Sequence, residues 1–143
     1  MSTLQLTEIL LAAGCLLVLA WLALILVRRR RIGALGPIAL CAVRLPGRPR
    51  WRLGLLRLGP EGLGWFSVTG VTTRPRLLWP RDDLEISTPQ DEQVSVPGLE
   101  RPVAISLHGP AGHLADLAVE RQVYFTVRSW LESAPPGHGV NVA

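Results

Sequence analysis

The chain has 143 residues and a formal charge of +4, and all fifteen of its basic side chains are arginine; this is length for one small domain and no more. The charge is lopsided. Residues 28–50 hold seven arginines and no acid, whereas residues 51–133 hold eight arginines against ten carboxylates, so the folded part is slightly acidic, which argues against nucleic acid as a partner.

Residues 1–8 carry one acid, Glu8, and no Lys or Arg. That is the opposite of the basic leader ahead of a secretory signal's apolar core, and a short extracytoplasmic amino terminus is expected. Residues 9–27 contain no charge. At ~1.5 Å per residue a helix of that length crosses the hydrocarbon core of a bilayer with every backbone hydrogen bond satisfied internally, so a single transmembrane helix is predicted. Trp21, near its end, could seat the helix at the interface. Arg28, Arg29, Arg30 and Arg31 follow at once and form a membrane flank among the anionic lipid headgroups of the inner leaflet, where each cation contributes ~1 kcal/mol. The positive-inside rule then places the amino terminus outside and the carboxy-terminal domain in the cytoplasm, on the plasma (inner) membrane of a single-pass protein.

Residues 28–50 read as a basic juxtamembrane connector, broken by Gly33, Gly36, Pro37, Pro46, Gly47 and Pro49. Within it, residues 38–43 are continuously apolar and either join the domain as a strand or rest on the bilayer; the strand is the favoured reading. Cys15, in mid-span, and Cys41 are too far apart to pair, which fits a reducing compartment. Cys41 is a candidate for palmitoylation.

Residues 51–133 have the periods of a β-rich domain. Strands are predicted at 51–58 and 63–68, joined by the Gly59-Pro60-Glu61-Gly62 turn, and at 76–79, which Pro80 ends. Residues 83–87 alternate, with Leu84 and Ile86 on one side and Asp83, Glu85 and Ser87 on the other. Further strands are expected at 93–96, at 101–107 with Val103, Ile105 and Leu107 inward, and at 114–119 after the Gly109-Pro110-Ala111-Gly112 turn. Then the period changes. Val123, Val127, Trp130 and Leu131 share one stripe of a helix from Glu120 to Glu132; Pro135 and Pro136 cannot continue it, and 134–143 is expected to be a disordered tail. The fold class is mainly β with one N-terminal transmembrane helix: a small antiparallel barrel or bent sheet of about seven strands, capped by a C-terminal amphipathic helix, as in pleckstrin-homology-like domains. Burial of Trp130 and Leu131 would contribute roughly 2 to 3 kcal/mol each.

The stretches WRLGLLRL, LGWFSVTGVTTRPRLLW, RDDLEI and VRSWLESAPPG resemble, in order from Trp51 to Gly137, the actinobacterial single-pass membrane proteins catalogued as domain of unknown function 2550. The chain departs most from that pattern between Ser87 and Glu100. The resemblance implies a membrane-associated protein of unassigned activity. It also implies an association with a respiratory or ATP-synthase assembly, since genes of this family often neighbour those of the F-type ATP synthase. It carries no functional residues over.

Chemistry-bearing residues are few. His108 and His113 flank a turn and lack the third and fourth ligands that zinc needs, so no metal or cofactor is expected. Asp82, Asp83 and Glu85 read as the solvated side of a strand. No serine sits in a Gly-x-Ser-x-Gly elbow, and Gly59, Gly62 and Gly64 have neither the spacing nor the Lys of a phosphate loop. Arg74 and Arg76, around Pro75, are candidates for headgroup contact at a barrel rim. The expected function is therefore non-catalytic: a membrane-anchored accessory or adaptor protein for another membrane protein complex. The alternative is a lipid-headgroup or small-ligand sensor using the barrel mouth.

Overall fold

A computed structural model describes residues 2–90 and 94–133. The first helix, α1, runs Thr3–Gly33, longer than the apolar run at both ends. Ser2 caps its start, accepting from the Gln5 amide while the Gln5 side chain accepts from the Ser2 amide, and Arg30 and Arg31 occupy the last turn, where cations favour the negative end of the helix dipole. It is long and apolar enough to cross a membrane, and its most apolar stretch is entirely uncovered by the rest of the chain. Only Arg28 and Ile32, one turn apart, are buried.

Seven strands follow: β1 (Ile38–Arg44), β2 (Arg52–Leu58), β3 (Gly62–Ser67), β4 (Leu77–Pro80), β5 (Glu85–Ile86), β6 (Val103–Gly109) and β7 (Gly112–Val119). They form one antiparallel sheet in the order β4-β3-β2-β1-β7-β6-β5. Two meanders, β1 to β4 and β5 to β7, are thus joined by the pairing of β1 with β7, from Cys41 opposite Val119 to Arg44 opposite Asp116. The sheet is open, since β4 and β5 are its two edges; among the described residues it does not close into the expected barrel.

The apolar run at 38–43 is a strand, as favoured from sequence, and the central one. The supposed connector is consequently short. Helix α1 continues through the arginines to Gly33, only residues 34–37 separate it from β1, and the sheet starts ahead of Trp51. Gly36 lies so close to β2 that a Cβ would strike the Leu58 carbonyl.

Two of the expected strands differ. The alternating run at 83–87 shrinks to Glu85–Ile86, because Asp83 adopts a left-handed conformation (φ 61°) in a turn closed by the Leu84 amide on the Arg81 carbonyl. Leu84 and Ile86 still both pack on the core. The strand expected at 93–96 is absent from the described part of that segment: Val94 to Val96 is not strand, and residue 93 lies outside the described residues. Instead Val96 and Leu99 turn back on each other, with the Leu99 amide on the Val96 carbonyl and Gly98 at φ 96°, and cover Ala42 and Ala118 on one face of the sheet. Small side chains leave a trough there, so an apolar segment is buried by lying across it without joining the ladder. The tail at 134–143 lies outside the described residues.

The main core fills the other face. Cys41, Val43, Leu56, Leu63, Trp65, Ile105, Leu107, Leu117 and Val119 face helix α2 (Arg121–Glu132). The predicted stripe of Val123, Val127, Trp130 and Leu131 does meet the core, but its sealed members are Val127 and Tyr124; Trp130 and Leu131 are only partly buried. Their contribution is smaller than full burial would give. Arg81 compensates at the helix end: its guanidinium lies 4.6 Å from the Trp130 ring centroid and donates to the Trp130 carbonyl and to Ser133 Oγ.

Candidate functional site

Two polar constellations hold the molecule together, and the first lies where the apolar helix meets the sheet. Arg28 does not project into solvent with its neighbours. It is 6% exposed and reaches the segment after β3, where Nε donates to the Thr72 carbonyl at 2.7 Å, Nη2 to that of Ser67 at 2.9 Å and Nη1 to that of Val68 at 3.4 Å. A guanidinium suits this because its planar fork offers several donors in fixed directions, whereas an ammonium offers a point charge. The turn approaches closely, for a Cβ on Gly70 would stand 3.1 Å from Nη2.

One turn further along, the Ile32 carbonyl accepts from Arg57 Nη1 at 3.4 Å, and the Arg57 guanidinium also lies over the Phe66 ring. These contacts tie the helix end to both ends of the β2–β3 hairpin. Between helix and sheet runs a groove of about 280 Å³, lined by Ile25, Ile38, Leu40, Leu55 and Val68 with Arg28 and Arg29 at its polar side.

The remaining predicted flank, Arg29, Arg30 and Arg31, is exposed. Arg74 and Arg76 are exposed too, on the same β3–β4 segment that Arg28 grips, and among the described residues neither has an ion-pair partner. They flank no barrel mouth, because the sheet is open. Cys41 is fully buried on β1, where burial pushes its thiol up and removes it from any acylating enzyme.

The second constellation was not legible in the sequence. Asp116 on β7 lies between Arg44 on β1 and Ser106 on β6, its partners in register on either side. Its Oδ1 accepts from Ser106 Oγ and from His113 Nε2, both at 2.8 Å, and its Oδ2 accepts from Arg44 Nη2 at 3.0 Å. Arg44 also lies 4.6 Å from the Trp51 ring centroid. Serine, histidine and aspartate meet here, but in an order that activates no nucleophile: catalysis requires the imidazole between hydroxyl and carboxylate, and here the carboxylate stands between the other two. Its role is to tie three strands together.

Burial by itself would push the Asp116 carboxyl up, but the hydrogen bonds from His113, Ser106 and Arg44 outweigh it and hold it below the ordinary carboxylate range. A depressed folded value means that the unfolded chain binds the proton more readily. This contribution is therefore complete above the unfolded value of about 3.9 and is lost as pH falls below it. Acidification from pH 5 to pH 3 in urea-unfolding series should lower wild-type stability more steeply than that of Asp116→Asn, which has no carboxylate to titrate there; parallel curves would contradict this.

His108 stands beside His113, ring centroids 5.6 Å apart, but His113 is engaged by Asp116, and among the described residues no three His, Cys, Asp or Glu side chains converge. Asp82, Asp83 and Glu85 are exposed.

A family model described as protein of unknown function (DUF2550) matches residues 11–137. No curated protein and no solved structure matches the chain.

Proposed function

The chain belongs to the DUF2550 family, whose description assigns no activity, and on that premise we propose that it is a non-catalytic, single-pass membrane protein whose sheet serves as an adaptor for another membrane protein complex. In this reading α1 is a retained anchor, the amino terminus is outside, and the sheet stands in the cytoplasm with Arg29, Arg30 and Arg31 at the inner leaflet. The observation that carries it is the triple grip of Arg28 on the Ser67, Val68 and Thr72 carbonyls. A signal sequence is discarded after export, so nothing in a mature domain depends on it; here the helix end supplies donors and a buried Ile32 to the fold.

The strand order, two antiparallel meanders followed by a C-terminal helix, favours a pleckstrin-homology-like module whose sheet has not closed. Two edges, β4 and β5, then remain for a partner strand. A respiratory or ATP-synthase assembly is the partner that the family resemblance favours. The second reading, a sensor of lipid headgroups, draws on Arg74 and Arg76, which are exposed on the segment that Arg28 holds to the helix.

Topology decides the first point. A reporter that is active only in the cytoplasm, fused behind Ala143, should be active, and one that is active only outside should be silent. The reverse pattern, or recovery of the intact chain in the soluble fraction, would refute the proposal.

A further inference from the structure

We infer that the sheet has a second membrane contact of its own: the β1–β2 and β3–β4 loops form a rim that rests on the anionic leaflet beside the anchor. The inference rests on α1 being a transmembrane anchor. Its direction comes from the topology. Strands β1 and β3 both pair antiparallel with β2, so they run the same way, and the loops that follow them, residues 45–51 and 68–76, leave the same end of the sheet.

The helix contacts say which end this is. Arg28, the first residue past the apolar run, holds the segment just after β3, whereas Ile32 and Gly36, further along, meet Arg57 and Leu58 beside the β2–β3 turn. The hairpin lies alongside the helix end with its β3–β4 loop turned back towards the bilayer. Depth follows from the helix. Residues 9–27 at ~1.5 Å each match a hydrocarbon core of ~30 Å, so Arg28 stands at its boundary. Val68 shares a groove with Ile25, which lies still deeper in the apolar run.

The chemistry of the two loops fits that position. Together they carry Arg48, Arg50, Arg74 and Arg76 and no carboxylate, whereas residues 38–133 as a whole hold eleven arginines against ten carboxylates. All four arginines are exposed, as are Val68 (42%) and Val71 (67%). Apolar tips among exposed cations are what an anionic interface binds, the cations by attraction to the headgroups and the valines by leaving water. A soluble protein partner would not account for a groove that opens at the depth of Ile25, and an acyl chain of the same leaflet is of a size and polarity to fill it.

Depth measurement by nitroxide labels tests this on the full chain in vesicles of phosphatidylcholine with and without phosphatidylglycerol. A label on the native Cys15 reports the anchor. Separate labels at Val71→Cys and at Glu61→Cys, each in a Cys15→Ala background, report the rim and the opposite end of β3, which lies about 17 Å away at ~3.3 Å per residue. In anionic vesicles the label at 71 should collide several-fold less often with a water-soluble nickel chelate than the label at 61, and more often with oxygen. Thr69→Cys, on the same exposed turn, serves if the substitution at 71 is not tolerated. Equal nickel access at 71 and 61, with Cys15 lipid-buried, would overturn the rim and leave the anchor standing; nickel access at Cys15 would instead overturn the anchor itself. Protection at 71 should weaken in pure phosphatidylcholine, and unchanged depth there would overturn the part assigned to the four arginines.

Discussion

Gly54→Val should destabilise the sheet about as severely as Trp65→Ala. Gly54 lies on β2 opposite Ser67, and the indole of Trp65 is laid against it, so a Cβ there would strike both the indole and the Phe66 carbonyl. Neither obstacle can retreat. The carbonyl belongs to the adjacent strand, and Trp65, 2% exposed, is packed into the main core. Removing a buried tryptophan costs ~3–5 kcal/mol, against a total stability of ~5–15 kcal/mol for an ordinary domain. Expelling the indole through Gly54→Val should cost about 3 kcal/mol, the upper range for overpacking, because the ring is packed into the core that it would have to leave.

Trp65→Phe separates packing from polarity. Among the described residues the buried indole Nε1 has no acceptor, so phenylalanine removes an unsatisfied donor worth ~1–3 kcal/mol while leaving a smaller void than alanine. Its loss should be the mildest of the three. Urea midpoints followed by far-UV circular dichroism in detergent micelles give the ranking, and a wild-type midpoint for Gly54→Val would contradict the packing described here.

Arg28→Gln should uncouple the sheet from the helix without unfolding either. Charge-assisted hydrogen bonds contribute ~1.5–3 kcal/mol each, and the substitution leaves carbonyls of the β3–β4 segment without their donor, so a local loss of about 2–3 kcal/mol is expected. Amide exchange in residues 67–73 should rise by one to two orders of magnitude, since ~1.4 kcal/mol corresponds to a factor of ten, while the β6–β7 pairing keeps its protection. Arg28→Lys is the informative companion. If position 28 served only as one more cation at the membrane flank, lysine would be silent; if it is a fork across three carbonyls, lysine should behave almost as glutamine does.

The flank illustrates how far a linear reading reaches. Four successive arginines behind an apolar run are equivalent by composition, yet a helix turns ~100° per residue, so they point in four directions and only one meets the sheet. Asp116 is the converse case. In β7 it is the one carboxylate, and although His113 lies on the same strand, its partners Arg44 and Ser106 are 72 and 10 residues away, brought beside it by the register of β1 and β6. The misassigned strand at 93–96 has the same origin, because alternation records that alternate side chains are buried and not whether the backbone is paired. An apolar segment lying across Ala42 and Ala118 satisfies the pattern equally well.

By itself the sequence determined the long apolar helix and its basic end, the β2–β3 and β6–β7 hairpins, and the amphipathic α2, and it favoured a strand at 38–43 over a segment resting on the bilayer. In each of these the signal is a local period or a turn, which neighbours in the chain dictate. Tertiary structure alone decided that β1 is the central strand, that the sheet stays open, that Arg28 belongs to the fold while Arg29, Arg30 and Arg31 do not, and that two arginine-bearing loops leave one end together. Those outcomes depend on which strands pair, and pairing is settled by burial summed over residues far apart in the chain, a quantity that no short window contains.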